Sequence, residues 1–169
     1  GQGPEQSLRL LEEVGSERLK LVFDTGNTLG HGQDPWEYYR GVKDHIVYVH
    51  VKDRKMADGK EQACYCGEGV ARVRDVLTDL YAAGYRGGVS IEPHLAAAVH
   101  LGKEAEDEAA YRIYVEYGRK MTQIVEEIRG AAESALGQLG GSGVVKPEPD
   151  APRHTWTASC STCRPHTDA

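Results

Sequence analysis

Asp24, His50 and Glu92 are side chains of the kind that bind divalent metals, and each stands at or near the end of a short run of alternating character, over residues 19–24, 46–53 and 88–92. Read with period two, one face of these runs is apolar: Leu19, Leu21 and Phe23, then Val47, Val49 and Val51, then Val89 and Ile91. The other face carries Asp24, then Tyr48, His50 and Lys52, then Ser90 and Glu92. Such alternation is what strands show, because successive side chains point to opposite faces. Two carboxylates and an imidazole suit Mn, Mg, Co, Fe or Zn, and the absence of thiolate argues against a structural zinc site. A strand-end Asp is often only a turn residue, and a lone His is often only a hydrogen-bonded polar group. Three such residues on one face, near the C-terminal ends of three strands, favour the joint reading as a metal-centred site.

The intervening segments supply the elements that must position these groups. Residues 4–14 read as a helix with Gly15 as its stop, and Asp34-Pro35 opens a second helix over 35–43 with an N-cap acid and Pro at the first position. Residues 53–69 read as a polar loop, and 70–83 as a helix with Val73, Val76, Leu77 and Leu80 on one face and Gly84 as its end. A longer helix is expected over 104–129, with Ile113, Met121, Ile124 and Ile128 at helical spacing. From Gly137 the composition shifts to Gly, Ser, Pro and Thr, so residues 137–169 read as a disordered tail with too little apolar surface to offset its ordering entropy. The order αβαβαβα implies a parallel α/β sheet, open or part of a barrel. Apolar faces turned to the helices and polar strand ends turned to a mouth favour the barrel, and no Gly-x-Gly-x-x-Gly supports a dinucleotide fold.

The motifs 22–27 (Val-Phe-Asp-Thr-Gly-Asn), 49–53 (Val-His-Val-Lys-Asp), 67–69 (Gly-Glu-Gly) and 84–92 (Gly-Tyr-Arg-Gly-Gly-Val-Ser-Ile-Glu) resemble the xylose isomerase-like TIM barrel family of sugar and sugar-phosphate isomerases and epimerases. The likeness covers roughly residues 7–129. It implies one divalent metal, Mn, Mg or Co in the first place and Zn as a further option, held by Glu, Asp, His and Glu at the ends of strands five to eight. Asp24, His50 and Glu92 match the last three of these. The first Glu belongs to a strand upstream of residues 4–14, and an intact barrel takes about 250 residues. The expectation is therefore the C-terminal portion of a (β/α)8 barrel, residues 1–136, with an incomplete site.

The chemistry implied is proton transfer next to a substrate carbonyl through an enediolate, with Glu92 as both ligand and base. Asn27 stands where relatives often carry a substrate-touching His, Lys52 shares the face of His50, and His94 lies at the mouth; these three are the candidate substrate-binding residues. Each also has an ordinary reading, as a turn residue, a rim lysine or a surface histidine. His31 and His45 read as surface residues. Cys160-x2-Cys163, flanked by His154 and His166, has zinc-ligand types but neither a folded context nor a second knuckle.

Two other functions compete. An endonuclease IV-like nuclease of the same superfamily would carry a His where Asn27 stands and another within residues 53–67, which contain none. A non-catalytic truncated barrel is the other. The net charge of −6 gives no attraction for a phosphate backbone, and no run of about 18 apolar residues is present to span a membrane. With no signal-peptide pattern at the N-terminus, a cytoplasmic protein acting on a small-molecule sugar or sugar phosphate is expected. The resemblance also allows a homo-oligomer.

Overall fold

The computed structural model describes residues 3–95 and 104–139, together with the backbone of Ser159–Cys160. Helix α1 (Pro4–Val14) ends at Gly15, whose φ of 61° lets its N–H return to the Leu11 carbonyl. Strand β1 (Leu21–Asp24) follows, then helix α2 (Pro35–Val42), whose first turn is capped by the Asp34 carboxylate accepting from Trp36 N and Glu37 N. Strand β2 (Ile46–Val51), helix α3 (Val73–Ala82), strand β5 (Gly88–Ile91) and helix α4 (Glu104–Leu139) complete the alternation; between β2 and α3 lies a hairpin, β3 (Asp53–Ala57) and β4 (Lys60–Cys64).

Strands β1, β2 and β5 pair in that order, all parallel, as alternating β and α segments require. Phe23, Val49, Val51, Val89 and Ile91 are buried on one face against Tyr39 and Val42 of α2, Val76, Leu77 and Leu80 of α3, and Tyr117, Met121 and Ile124 of α4. The opposite face carries Asp24, His50 and Ser90, with Val22 58% exposed on it. This is the partial barrel arrangement, with apolar side chains turned to the helices and polar ones to the inside.

Four expectations are corrected. Val47 is not part of the apolar face: Leu21 pairs with Ile46 and Val22 with Tyr48, so Val47 is a bulged surplus residue, 47% exposed, and Ile46 takes the buried place. Leu19 falls before β1 and is 37% exposed. Residues 53–69 are not a plain loop, because the antiparallel hairpin β3–β4 turns at Asp58-Gly59, both with positive φ (53° and 72°). Helix α4 runs past Arg129 to Leu139, beyond the Gly137 boundary of the expected tail. Gly130 lowers helix propensity by only about 1 kcal/mol, and Ala131, Ala132, Ala135 and Leu136 after it are good helix formers. Of the remainder of the expected tail only the backbone of Ser159–Cys160 is described, a short strand β6 parallel to Ser90 and Ile91; the rest lies outside the described residues. The Cys160-x2-Cys163 group is likewise outside the described side chains.

Candidate metal centre

The parallel ladder brings the three candidate ligands together. Asp24 on β1 is the register partner of His50 on β2, which in turn faces Ser90 on β5. Glu92, one residue past β5, extends the ladder by donating its N–H to the Val51 carbonyl at 2.9 Å. One ligand atom from each of Asp24, His50 and Glu92 falls within 4.8 Å of the others, and His50 Nδ1 lies 3.0 Å from Glu92 Oε2.

Each ligand is held from behind. Asp24 Oδ1 accepts from Gly26 N and Asn27 N, both at 2.9 Å, which fixes the carboxylate and leaves Oδ2 directed elsewhere. The Tyr48 ring meets the His50 ring edge-on at 5.5 Å. Lys52 runs into the middle of the cluster, with Nζ 3.0 Å from Asp24 Oδ2 and 3.3 Å from Glu92 Oε2. Its hydrogen bonds go to the other substrate-side candidates, Asn27 Oδ1 at 3.2 Å and His94 Nε2 at 3.3 Å. Asp24 Oδ2 is buried and accepts no hydrogen bond; the lysine is close to it but off the hydrogen-bonding direction.

The two carboxyl groups are shifted in opposite senses. Burial dominates at Asp24 and raises its pKa above 3.8, against the opposing pull of Lys52 and the two backbone N–H groups. At Glu92 burial also raises, but His94, Lys52 and His50 together outweigh it and hold the carboxyl at about 2. Glu92 is therefore ionised across the whole working pH range.

The donor set fits a hard or borderline divalent ion. It offers two carboxylates and an imidazole from three adjacent strand ends, with one buried carboxylate oxygen accepting no hydrogen bond. All six residues singled out in the sequence, Asp24, Asn27, His50, Lys52, Glu92 and His94, belong to this one cluster. His31 lines a cleft of about 190 Å³ beside it, with Asp24, Asn27 and Tyr38.

Asp53 is the residue that sequence reasoning passed over. Only 2% exposed, its carboxylate accepts from Arg54 N, Gly67 N, Gly69 N and Ala71 N at 2.8 to 3.0 Å. It ties the hairpin base to the loop before α3, directly behind Lys52. Gly67, with φ of 81°, and Gly69, where a Cβ would collide with the Arg54 carbonyl and the Asp53 carboxylate, let that loop approach. The signal was the Lys-Asp pair after β2 followed by Gly-Glu-Gly.

This combination of a parallel αβ sheet and metal-type residues at its strand ends is that of part of a (β/α) barrel. Residues 1–120 match the model of the xylose isomerase-like TIM barrel family, and the chain belongs to that family. It is 32% identical over 91 residues to the uncharacterized protein MJ1311 of Methanocaldococcus jannaschii, a match covering 53% of this chain and 30% of that protein. Over 144 residues it is 27% identical to an inosose dehydratase of Geobacillus thermodenitrificans, covering 76% of this chain and 44% of the relative. The crystal structure of a xylose isomerase domain protein from Planctomyces limnophilus superimposes with a TM-score of 0.48 at 25% identity, covering 72% and 44% of the two chains. The chain thus spans less than half the length of these relatives. Among the described residues, no helix is long and apolar enough to cross a membrane.

Proposed function

We propose that this chain carries the metal-binding wall of an active site that moves a proton at the carbon next to the carbonyl of a sugar, sugar phosphate or related polyol. The observation that carries the reading is the convergence of Asp24, His50 and Glu92 within 4.8 Å. These three residues would hold one divalent ion, Mn, Mg or Co by preference, which when bound polarises a carbonyl or hydroxyl oxygen of the substrate. Glu92, at the mouth beside His50 and His94, is the proton acceptor. The Asn27 amide and the His94 ring, both beside the Lys52 ammonium, offer hydrogen bonds to substrate hydroxyls. Returning the proton to the same or the neighbouring carbon gives epimerisation or isomerisation.

A second reading is supported by the inosose dehydratase relatives: elimination of water from a keto-polyol. It begins with the same proton abstraction and differs only in which group leaves next.

The test is solvent exchange. Incubated with Mg²⁺ in D₂O, the 169-residue chain is expected to exchange the proton next to the carbonyl of a ketose or inosose, followed by NMR, and Glu92→Gln is expected to abolish the exchange. A chain that binds no divalent ion and exchanges no proton would sink the proposal. Release of water without isomeric product would select the second reading.

A further inference from the structure

Lys52 does not behave as a rim lysine. Its side chain is 4% exposed, so it cannot snorkel to solvent. Its backbone is clamped on both sides by one hydroxyl: Thr25 Oγ1 donates to the Lys52 carbonyl at 2.6 Å and accepts from Lys52 N at 3.1 Å. The stem lies in a slot that exists because residue 26 is glycine; a Cβ at Gly26 would collide with Lys52 Cγ and come within 3.0 Å of Cδ. Clamp and slot deliver the ammonium to the two carboxylate oxygens, Asp24 Oδ2 and Glu92 Oε2, that belong to the candidate metal ligands.

An ammonium and a divalent cation compete for those oxygens, since like charges a few ångströms apart in a partly buried site repel strongly. Lys52 Nζ also reaches Asn27 Oδ1 at 3.2 Å and His94 Nε2 at 3.3 Å, and His94 Nε2 in turn lies 3.2 Å from Glu92 Oε1, so the ammonium sits inside one network with the acids.

We propose that Lys52 is a built-in monovalent occupant of the metal pocket, which neutralises Asp24 and Glu92 in the metal-free protein and moves off their carboxylate oxygens when a divalent ion loads. The inference rests on the metal reading given above. Its consequence is a lowered apparent metal affinity, because the ligands are competent only in the fraction of molecules whose lysine has moved aside. If Lys52 fills the pocket nine tenths of the time, removing its charge tightens binding about tenfold.

Titration calorimetry of the whole chain with MgCl₂ and MnCl₂ tests this, comparing wild type with Lys52→Met and Lys52→Arg. Lys52→Met is expected to bind about tenfold more tightly and to gain more thermal stability from added metal; Lys52→Arg, which keeps the charge, is expected to show no such tightening. A second measurement needs no variant: in wild-type protein carrying ¹³Cε-labelled lysine, the Lys52 signal is expected to move on Mg²⁺ addition and to saturate with the calorimetric Kd. Equal or weaker binding by a folded Lys52→Met, or a Lys52 signal unmoved at metal saturation, would overturn the inference while leaving the metal reading intact. Failure of both proteins to bind any divalent ion would overturn both.

Discussion

His50 Nδ1 stands 3.0 Å from Glu92 Oε2, bridging the ends of two neighbouring parallel strands. An imidazole and a carboxylate at that distance are poised to turn together onto a common cation. Glu92→Gln keeps the shape and removes the charge, and His50→Gln removes the imidazole. Each is expected to weaken divalent-metal binding by at least about tenfold, since even residues that only support metal ligands contribute that much. Calorimetry with Mn²⁺ checks it; affinity unchanged in either variant removes that residue from the ligand set.

Asp53 holds four backbone N–H groups on one buried carboxylate. Asp53→Ala leaves those donors without an acceptor and is expected to cost about 3 kcal/mol or more in urea unfolding. Asp53→Asn, which keeps one acceptor oxygen, should lose less. A loss under about 1 kcal/mol for the alanine variant would mean that water replaces the carboxylate without penalty.

The contrast between Asp53 and the three ligands explains what the sequence could disclose. Asp24, His50 and Glu92 end strands whose period-two pattern is local, so both the strands and the side on which these residues lie are readable within a few positions. The partners of Asp53 are backbone atoms up to 18 residues away, so its role shows in the sequence only indirectly, through the glycines of the loop it holds. The hairpin was readable, because Asp58-Gly59 is a strong two-residue turn signal, but its strands are polar and exposed and so lack the alternation that identified the others. The bulge at Val47 was not readable at all: valine fits the alternation perfectly, and only pairing with β1 reveals it as surplus.

Two glycines should respond in opposite directions to the same substitution. Gly69→Ala drives a methyl group into the Arg54 carbonyl and the Asp53 carboxylate, and a loss of about 2 kcal/mol or more is expected. Gly130 sits inside α4 with open space where a Cβ would point, so Gly130→Ala should gain about 0.5 to 1 kcal/mol from helix propensity. Denaturant melts of both variants decide it; a destabilising Gly130→Ala would show that α4 is packed there.

The Asp79 carboxylate joins α3 to α2 through the Tyr39 hydroxyl at 2.7 Å and Lys43 Nζ at 3.0 Å. The Tyr39 hydrogen bond, partly opposed by burial and aided by Lys43, holds its pKa below 3.8. A carboxylate lowered on folding contributes stability that is present above the unfolded value of 3.8 and is lost as pH falls through the folded value. Tyr39→Phe should therefore cost about 1 kcal/mol at pH 7. The difference from wild type should shrink as the pH is taken below the wild-type Asp79 pKa. Urea melts at neutral and acid pH compare the two, and a gap that widens on acidification would contradict the assignment.

The bulge at Val47 determines which residues meet at the opposite end of the sheet. Counting regularly from the Leu21–Ile46 pair would set Asp24 beside Val49, a core residue turned toward the helices. The one surplus residue advances β2 so that Asp24 meets His50 instead. The sheet is thus indexed from its chemical end, with the mismatch absorbed at the far end, where nothing reacts. Length changes near Val47 should leave the site aligned, whereas a single insertion between Val49 and His50 would turn the imidazole out of the mouth.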